Sequence, residues 1–202
     1  MEQFNLFRHL VFSEDGHSSL LKKLLHVKGK HNLNNFFIKS LVEEVLKCPF
    51  SQQLLVETNL QAGEKGYVDI LIYNEDKTVI YIIENKIKGA KDRPNQLYRY
   101  WRNHIKTQEE NEIKGDYKIF YLTKNGDNPS PESLSIPIVS SKTSKYKEMP
   151  DKLPIEVIPI SYKKDIKNWL KNCLNQIERT EENLRLIITL EQYVEWIESK
   201  YC

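Results

Sequence analysis

Residues 66–87, GYVDILIYNEDKTVIYIIENKI, constrain the fold more than any other stretch of the chain. Two runs rich in Val, Ile and Tyr flank the polar NEDK at 74–77, which reads as strand, turn and strand. QLLVETNL at 53–60 reads as a further strand just upstream. Three strands so close in sequence pair most simply as an antiparallel meander.

Helical spacing of leucines marks HSSLLKKLLHV at 17–27, and NLNNFFIKSLVEEVLK at 32–47 is a second helix ended by Pro49. After the strands, KDRPNQLYRYWRNHIKTQ at 91–108 predicts a helix capped by Asp92 with Pro94 in its first turn. DYKIFYLT at 116–123 and IEVIPIS at 155–161 are two more strands, and two amphipathic helices close the chain. Between those last strands lies a long Ser-, Pro- and Lys-rich loop over about 124–153; connections of that length are usually functional or disordered. This order predicts an α/β chain with a mixed central sheet covered by helices on both faces, organised as a single domain over 1–202.

Composition narrows the class. Thirty basic against 28 acidic residues leave a net charge of +2, so any nucleic-acid surface has to come from local clustering. Cys48, Cys173 and Cys202 match neither a zinc spacing nor a disulfide framework, which points to a reducing compartment. The first residues, MEQFNLFRHLVF, do not resemble a signal peptide, and no run approaches the ~18 apolar residues of a membrane span. The expectation is a soluble, cytoplasmic protein that does not enter a membrane.

The 78–87 strand ends abruptly in charge. Side chains two apart on a strand share a face, so Glu84 and Lys86 continue the row of Ile82, while Asn85 points away with Tyr81 and Ile83. A charged pair extending an apolar row is costly unless paired or solvated at a cleft. One strand earlier a lone acid, Asp69, interrupts YVDILIY. A turn centred between Glu75 and Asp76 pairs residue 69 with about residue 82; a shift of two brings Asp69 level with Glu84. Two carboxylates converging at a sheet end suit Mg²⁺ (or Mn²⁺), and a lysine beside them suits an anionic substrate. That set fits attack of metal-activated water on a phosphodiester.

Asp69, then Glu84-Asn85-Lys86 fifteen residues on, resembles the D…(D/E)xK signature of the PD-(D/E)xK nuclease superfamily, and QLYRY in the following helix resembles its QxxxY element through Gln96 and Tyr100. With EDGHSSLLKKLLHVKGKHNLNNFFIKSL upstream and YLT, ISY and WL downstream, the likeness is to a bacterial subfamily of that superfamily and runs from about 14 to 200. No proline precedes Asp69; Val68 stands there. The resemblance implies an α/β/α restriction-endonuclease-like fold. It implies that Asp69, Glu84 and the backbone carbonyl of Asn85 bind metal, and that Lys86 positions or polarises the attacking water or stabilises phosphate charge. Gln96 and Tyr100 would orient the substrate or the catalytic lysine.

Further candidates carry bland alternatives. Glu44 falls between Leu33 and Leu41 on a helical wheel and matches an accessory metal ligand of the superfamily, or is a half-exposed helix-edge acid. Glu14 and His17 sit at a helix start that Ser13 or Asp15 caps; His17 draws interest as a metal or phosphate ligand. Glu57 is a candidate further acid near the metal, and His31 a weaker one, whereas His9, His26 and His104 read as structural or surface. Lys142, Lys145, Lys147 and Lys152 belong to a solvated loop, or grip nucleic acid if the loop folds over it.

The leading expectation is a metal-dependent nuclease, with DNA preferred to RNA as substrate, serving bacterial (phage) defence or DNA repair. The alternatives are a catalytically silent nucleic-acid-binding or interaction protein that keeps the fold, and a nuclease subunit that needs a partner protein.

Overall fold

The computed structural model describes residues 4–9, 13–51, 53–58, 60–61, 67–87, 91–136 and 149–201. Helices α1 (Leu6–His9), α2 (Glu14–Leu25) and α3 (Phe36–Ser40) precede the sheet; α3 runs on through a wider turn, Leu41–Val45, in which Leu46 N–H reaches back five residues to the Leu41 carbonyl. Ser13 caps α2 by accepting from Gly16 N–H, as the first of its two expected caps.

The central sheet has five strands in the order β1 (Leu54–Glu57), β4 (Ile70–Asn74), β5 (Val79–Lys86), β6 (Asp116–Thr123) and β7 (Val157–Ser161). The first three form the expected antiparallel meander, while β5–β6 and β6–β7 are parallel. Alternation sorts the side chains by face. Tyr81, Ile83, Phe120 and Leu122 join the core under α2, α3, α6 (Lys167–Gln176) and α7 (Glu181–Tyr201). Ile80, Ile82, Ile119 and Tyr121 join a second core under α4 (Gln96–Tyr100), which extends through Trp101–Ile105 into α5 (Lys106–Glu110). Truncating one such buried Ile to Ala would cost about 2–5 kcal/mol, because the lost contacts leave a cavity. The architecture is the mixed sheet between helical layers expected of a restriction-endonuclease-like fold.

Three local expectations need correction. The strand expected over 66–73 is broken at Asp69: Tyr67–Val68 (β3) pairs with Leu60–Gln61 (β2) in a separate two-stranded ladder, and only Ile70–Asn74 stays in the main sheet. The carboxylate of Asp69 takes the Asn85 N–H at 2.7 Å, a donor on the β5 edge facing β4, and the strand bends away there. The 53–60 strand divides in the same way into β1 and β2.

Second, Asp92 does not cap the helix after β5. That helix starts at Gln96, beyond Pro94, and Asn95 before it adopts φ 59°. Asp92 instead accepts from Tyr121 Oη (2.7 Å) and Ser130 N–H (2.6 Å). Third, part of the 124–153 loop is structural: the Ser133 and Glu132 carbonyls accept from Tyr98 and Asn95 N–H, and Lys152 bridges to Ser135. Lys142, Lys145, Lys147 and Cys202 lie outside the described residues. No described helix is long and apolar enough to cross a membrane.

Candidate active site

The β4–β5 register decides what meets what. Ile70 pairs with Ile83, so Asp69 stands level with Glu84, two residues beyond the pairing a turn centred at 75–76 would give. The cause is the connection. Asn74 fastens a four-residue loop by accepting from Val79 N–H at 2.9 Å and donating to Thr78 Oγ1 at 2.7 Å, with Lys77 at φ 56°.

Glu84 is 2% exposed and receives three donors. Lys86 Nζ lies 2.7 Å from Oε1, Gln96 Nε2 donates to Oε1 at 2.6 Å, and Tyr100 Oη lies 2.8 Å from Oε2. Tyr100 Oη is also 2.7 Å from the Tyr67 carbonyl and accepts from Gln96 Nε2 at 2.8 Å. Gln96 and Tyr100 are thus brought to the ENK strand by their i, i+4 spacing, and the side-chain oxygen of Gln96, Oε1, accepts in turn from Arg93 N–H. Asn85, facing the other way, donates through Nδ2 to Ser18 Oγ (2.9 Å) and the Glu14 carbonyl (3.3 Å), which ties β5 to the start of α2. Because its N–H is directed at Asp69, and N–H and C=O of one strand residue point the same way, the Asn85 carbonyl faces that edge too.

Asp69, Glu84, Lys86, Gln96, Glu14 and Arg93 line one cleft of about 370 Å³. Lys86 also borders a second cavity of about 940 Å³ that continues past Lys91 and Lys124. The electrostatics are those of a site short of positive charge. Burial, then the charge of Glu84, push the Asp69 carboxyl up to about 8 against the pull of the Asn85 N–H and Lys86. Burial pushes Glu84 up as well, and Lys86 and Tyr100 offset only part of that. Burial works to lower the Lys86 value, yet Glu84, Asp69 and Glu14 outweigh it and hold the ammonium above its ordinary range.

Three of the candidate ligands are held elsewhere. Glu44 accepts from Ser40 Oγ and Asn172 Nδ2 at 2.9 Å each, between α3 and α6. Glu57 accepts from Tyr73 Oη, which together with burial raises Tyr73 to about 12, and lines a separate cavity with Lys77 and His104. His17 is buried in an aromatic nest, its Nδ1 2.7 Å from Tyr193 Oη and its ring 4.8 Å from that of Trp196. Glu14 and Asp15, about one turn earlier on α2, are the residues of that segment that line the cleft. Nothing in the sequence singled out Arg93 beyond its place before Gln96.

Among the described residues, no group of three His, Cys, Asp or Glu side chains could hold a metal ion by itself. Mg²⁺ does not ask for one: it keeps several waters and is held by one or two carboxylates. Asp69, Glu84 and the Asn85 carbonyl form a hard-oxygen set of that size, and both carboxyls line the cleft.

A two-faced mixed sheet whose central strand ends in Glu84-Asn85-Lys86 opposite Asp69 defines a nuclease-like α/β/α protein. The sequence profile of the PD-(D/E)XK nuclease superfamily matches residues 4–195, and the chain belongs to that superfamily. Membership supports a nuclease-type function. No curated protein and no solved structure gives a significant match to the chain.

Proposed function

We propose that this chain is a Mg²⁺- or Mn²⁺-dependent phosphodiesterase acting on nucleic acid, DNA in preference to RNA, as a single nuclease domain of the bacterial cytoplasm serving defence or repair. The observation that carries the reading is the convergence of Asp69, Glu84 and Lys86 on one cleft, with both carboxyls pushed up by burial. Asp69, Glu84 and the Asn85 carbonyl would hold the cation. When bound, it supplies a water activated at neutral pH and neutralises phosphate charge.

The chain's own groups do the rest. Lys86, already aimed into the cleft by Glu84, places a positive charge where an attacked phosphate develops negative charge. Gln96 and Tyr100 fix the Glu84 carboxylate from the α4 side, so its oxygens do not swing away when Lys86 turns toward substrate. Arg93 and Lys91 offer exposed charges on either side for the flanking phosphates.

The test is direct. Purified chain should cleave labelled DNA with Mg²⁺ or Mn²⁺, cleave RNA more slowly, and stop with chelator. Full cleavage in chelator, or in an Asp69→Ala/Glu84→Ala double variant, would exclude this site as its source.

A further inference from the structure

The far end of α2 from the cleft opens onto a different cavity, of about 760 Å³. Its rim carries Lys22, Lys23, Lys28, Lys30 and Arg185, and no described Asp or Glu lines it. The chain as a whole has a net charge of only +2, so the five form a local concentration of one sign. None of the five is ion-paired with a described residue, whereas Lys86, Lys106, Lys118, Lys171 and Arg179 all are.

The rim is built. Gly29 N–H bonds the His26 carbonyl at 2.7 Å, closing the turn that presents Lys28 and Lys30. A Cβ at Gly29 would come within 2.5 Å of the His31 ring and 2.8 Å of the His26 carbonyl oxygen, so only glycine allows this closure. His31 anchors the turn edge-on against Phe37, with ring centroids 5.1 Å apart.

The floor is of another character. Leu20, Leu24 and Leu186 line it and belong to, or pack on, the main core. Ser19, Thr58 and Thr189 add hydroxyls between floor and rim. A bare phosphate gains nothing from a leucine floor, and an apolar ligand gains nothing from five cations. A volume of this size falls in the range of small-molecule sites, which combine an apolar lining with a few polar groups.

We infer that this cavity is a nucleotide-binding site, with the base on the leucine floor and the phosphate on the cationic rim. The nucleotide is either free or an unpaired residue of a strand that also occupies the cleft. The helix α2, about 18 Å long, joins the two sites: Glu14 lines the cleft, Lys22 and Lys23 line the cavity, and Ser18 between them bonds Asn85 beside the cleft.

Calorimetric titration of the full chain in chelator tests this without requiring any cleavage, so a failure of the nuclease reading leaves the result interpretable. ATP should bind more tightly than inorganic tripolyphosphate. Its affinity should fall at least tenfold in Lys28→Glu/Lys30→Glu and in Arg185→Glu, changes on two separate elements, and stay unchanged in Asp69→Asn. A single-stranded DNA decamer that displaces ATP, and binds better than an abasic decamer, identifies the strand as the source; a decamer that does not compete identifies a free nucleotide. Tripolyphosphate binding as tightly as ATP together with no preference over the abasic decamer, or affinities untouched by both charge reversals, would overturn the inference.

Discussion

Asp69 Oδ2 accepts the backbone N–H of Asn85 at 2.7 Å, so the side chain at the break between β3 and β4 occupies a donor on the facing edge of β5. The contact sits where the strand bends, with the acid level with Glu84, and burial and the Glu84 charge push the Asp69 carboxyl up to about 8 in spite of it. The consequences are measurable.

Stability without metal should fall as pH rises. The folded value of Asp69, about 8, lies above its ordinary 3.8, so between those limits the folded chain holds a proton that the unfolded chain has lost. Glu84 is pushed in the same direction. The cost is absent below pH 4 and complete above pH 8. Asp69→Asn removes its share and should melt roughly 5 °C higher than wild type at pH 8 in chelator. Adding Mg²⁺ or Mn²⁺ should stabilise wild type and not the variant. Parallel pH–Tm curves for the two proteins would refute this.

Lys86→Met should reduce cleavage by at least about 100-fold, the scale of losing one charge-stabilising group. An ammonium cannot be a metal ligand, so Mn²⁺ affinity by calorimetry should be kept or improved as a repelling charge leaves. Loss of Mn²⁺ binding to the degree seen in Glu84→Ala would mean that Lys86 holds the site together structurally.

Gln96→Ala removes the donor shared by Glu84 Oε1 and Tyr100 Oη. Cleavage should drop about 10- to 100-fold, with a stability loss of about 1–3 kcal/mol from the lost hydrogen bond to a buried charged group, Lys86 still pairing Oε1. Gln96→Glu, which sets a second carboxylate against Glu84, should be worse in both activity and melting temperature. Wild-type rates in both variants would show that the Glu84 contacts are incidental.

The acids outside the cleft provide the contrast. Glu44→Gln and Glu57→Gln should keep full Mn²⁺ affinity and cleavage, since their carboxylates engage Ser40, Asn172 and Tyr73. Glu14→Gln should weaken Mn²⁺ binding several-fold, because Glu14 lines the cleft and its charge acts on Asp69 and Lys86. A reversed pattern would relocate the metal.

Much of this was legible from residue order. Period-two alternation at 78–87 put Glu84 and Lys86 on one face and Asn85 on the other, and the two faces do meet different helices. The i, i+4 spacing put Gln96 and Tyr100 on one helical face, and both reach Glu84. These follow from backbone periodicity, a local property. The break at Asp69 was not legible, because it depends on a side chain replacing a main-chain acceptor across two strands. Nor was the fate of Glu44, Glu57 and His17. A helical wheel shows that a side chain faces inward, but not whether Asn172, Tyr73 or Tyr193 waits there. Sequence by itself determined where most of the strands and helices lie and which side chains share a face, since those are set within a few residues. Only the tertiary structure decided which acids share a cleft, because that depends on the two-residue register set by Asn74 and on the end of α2 that Asn85 holds against the sheet.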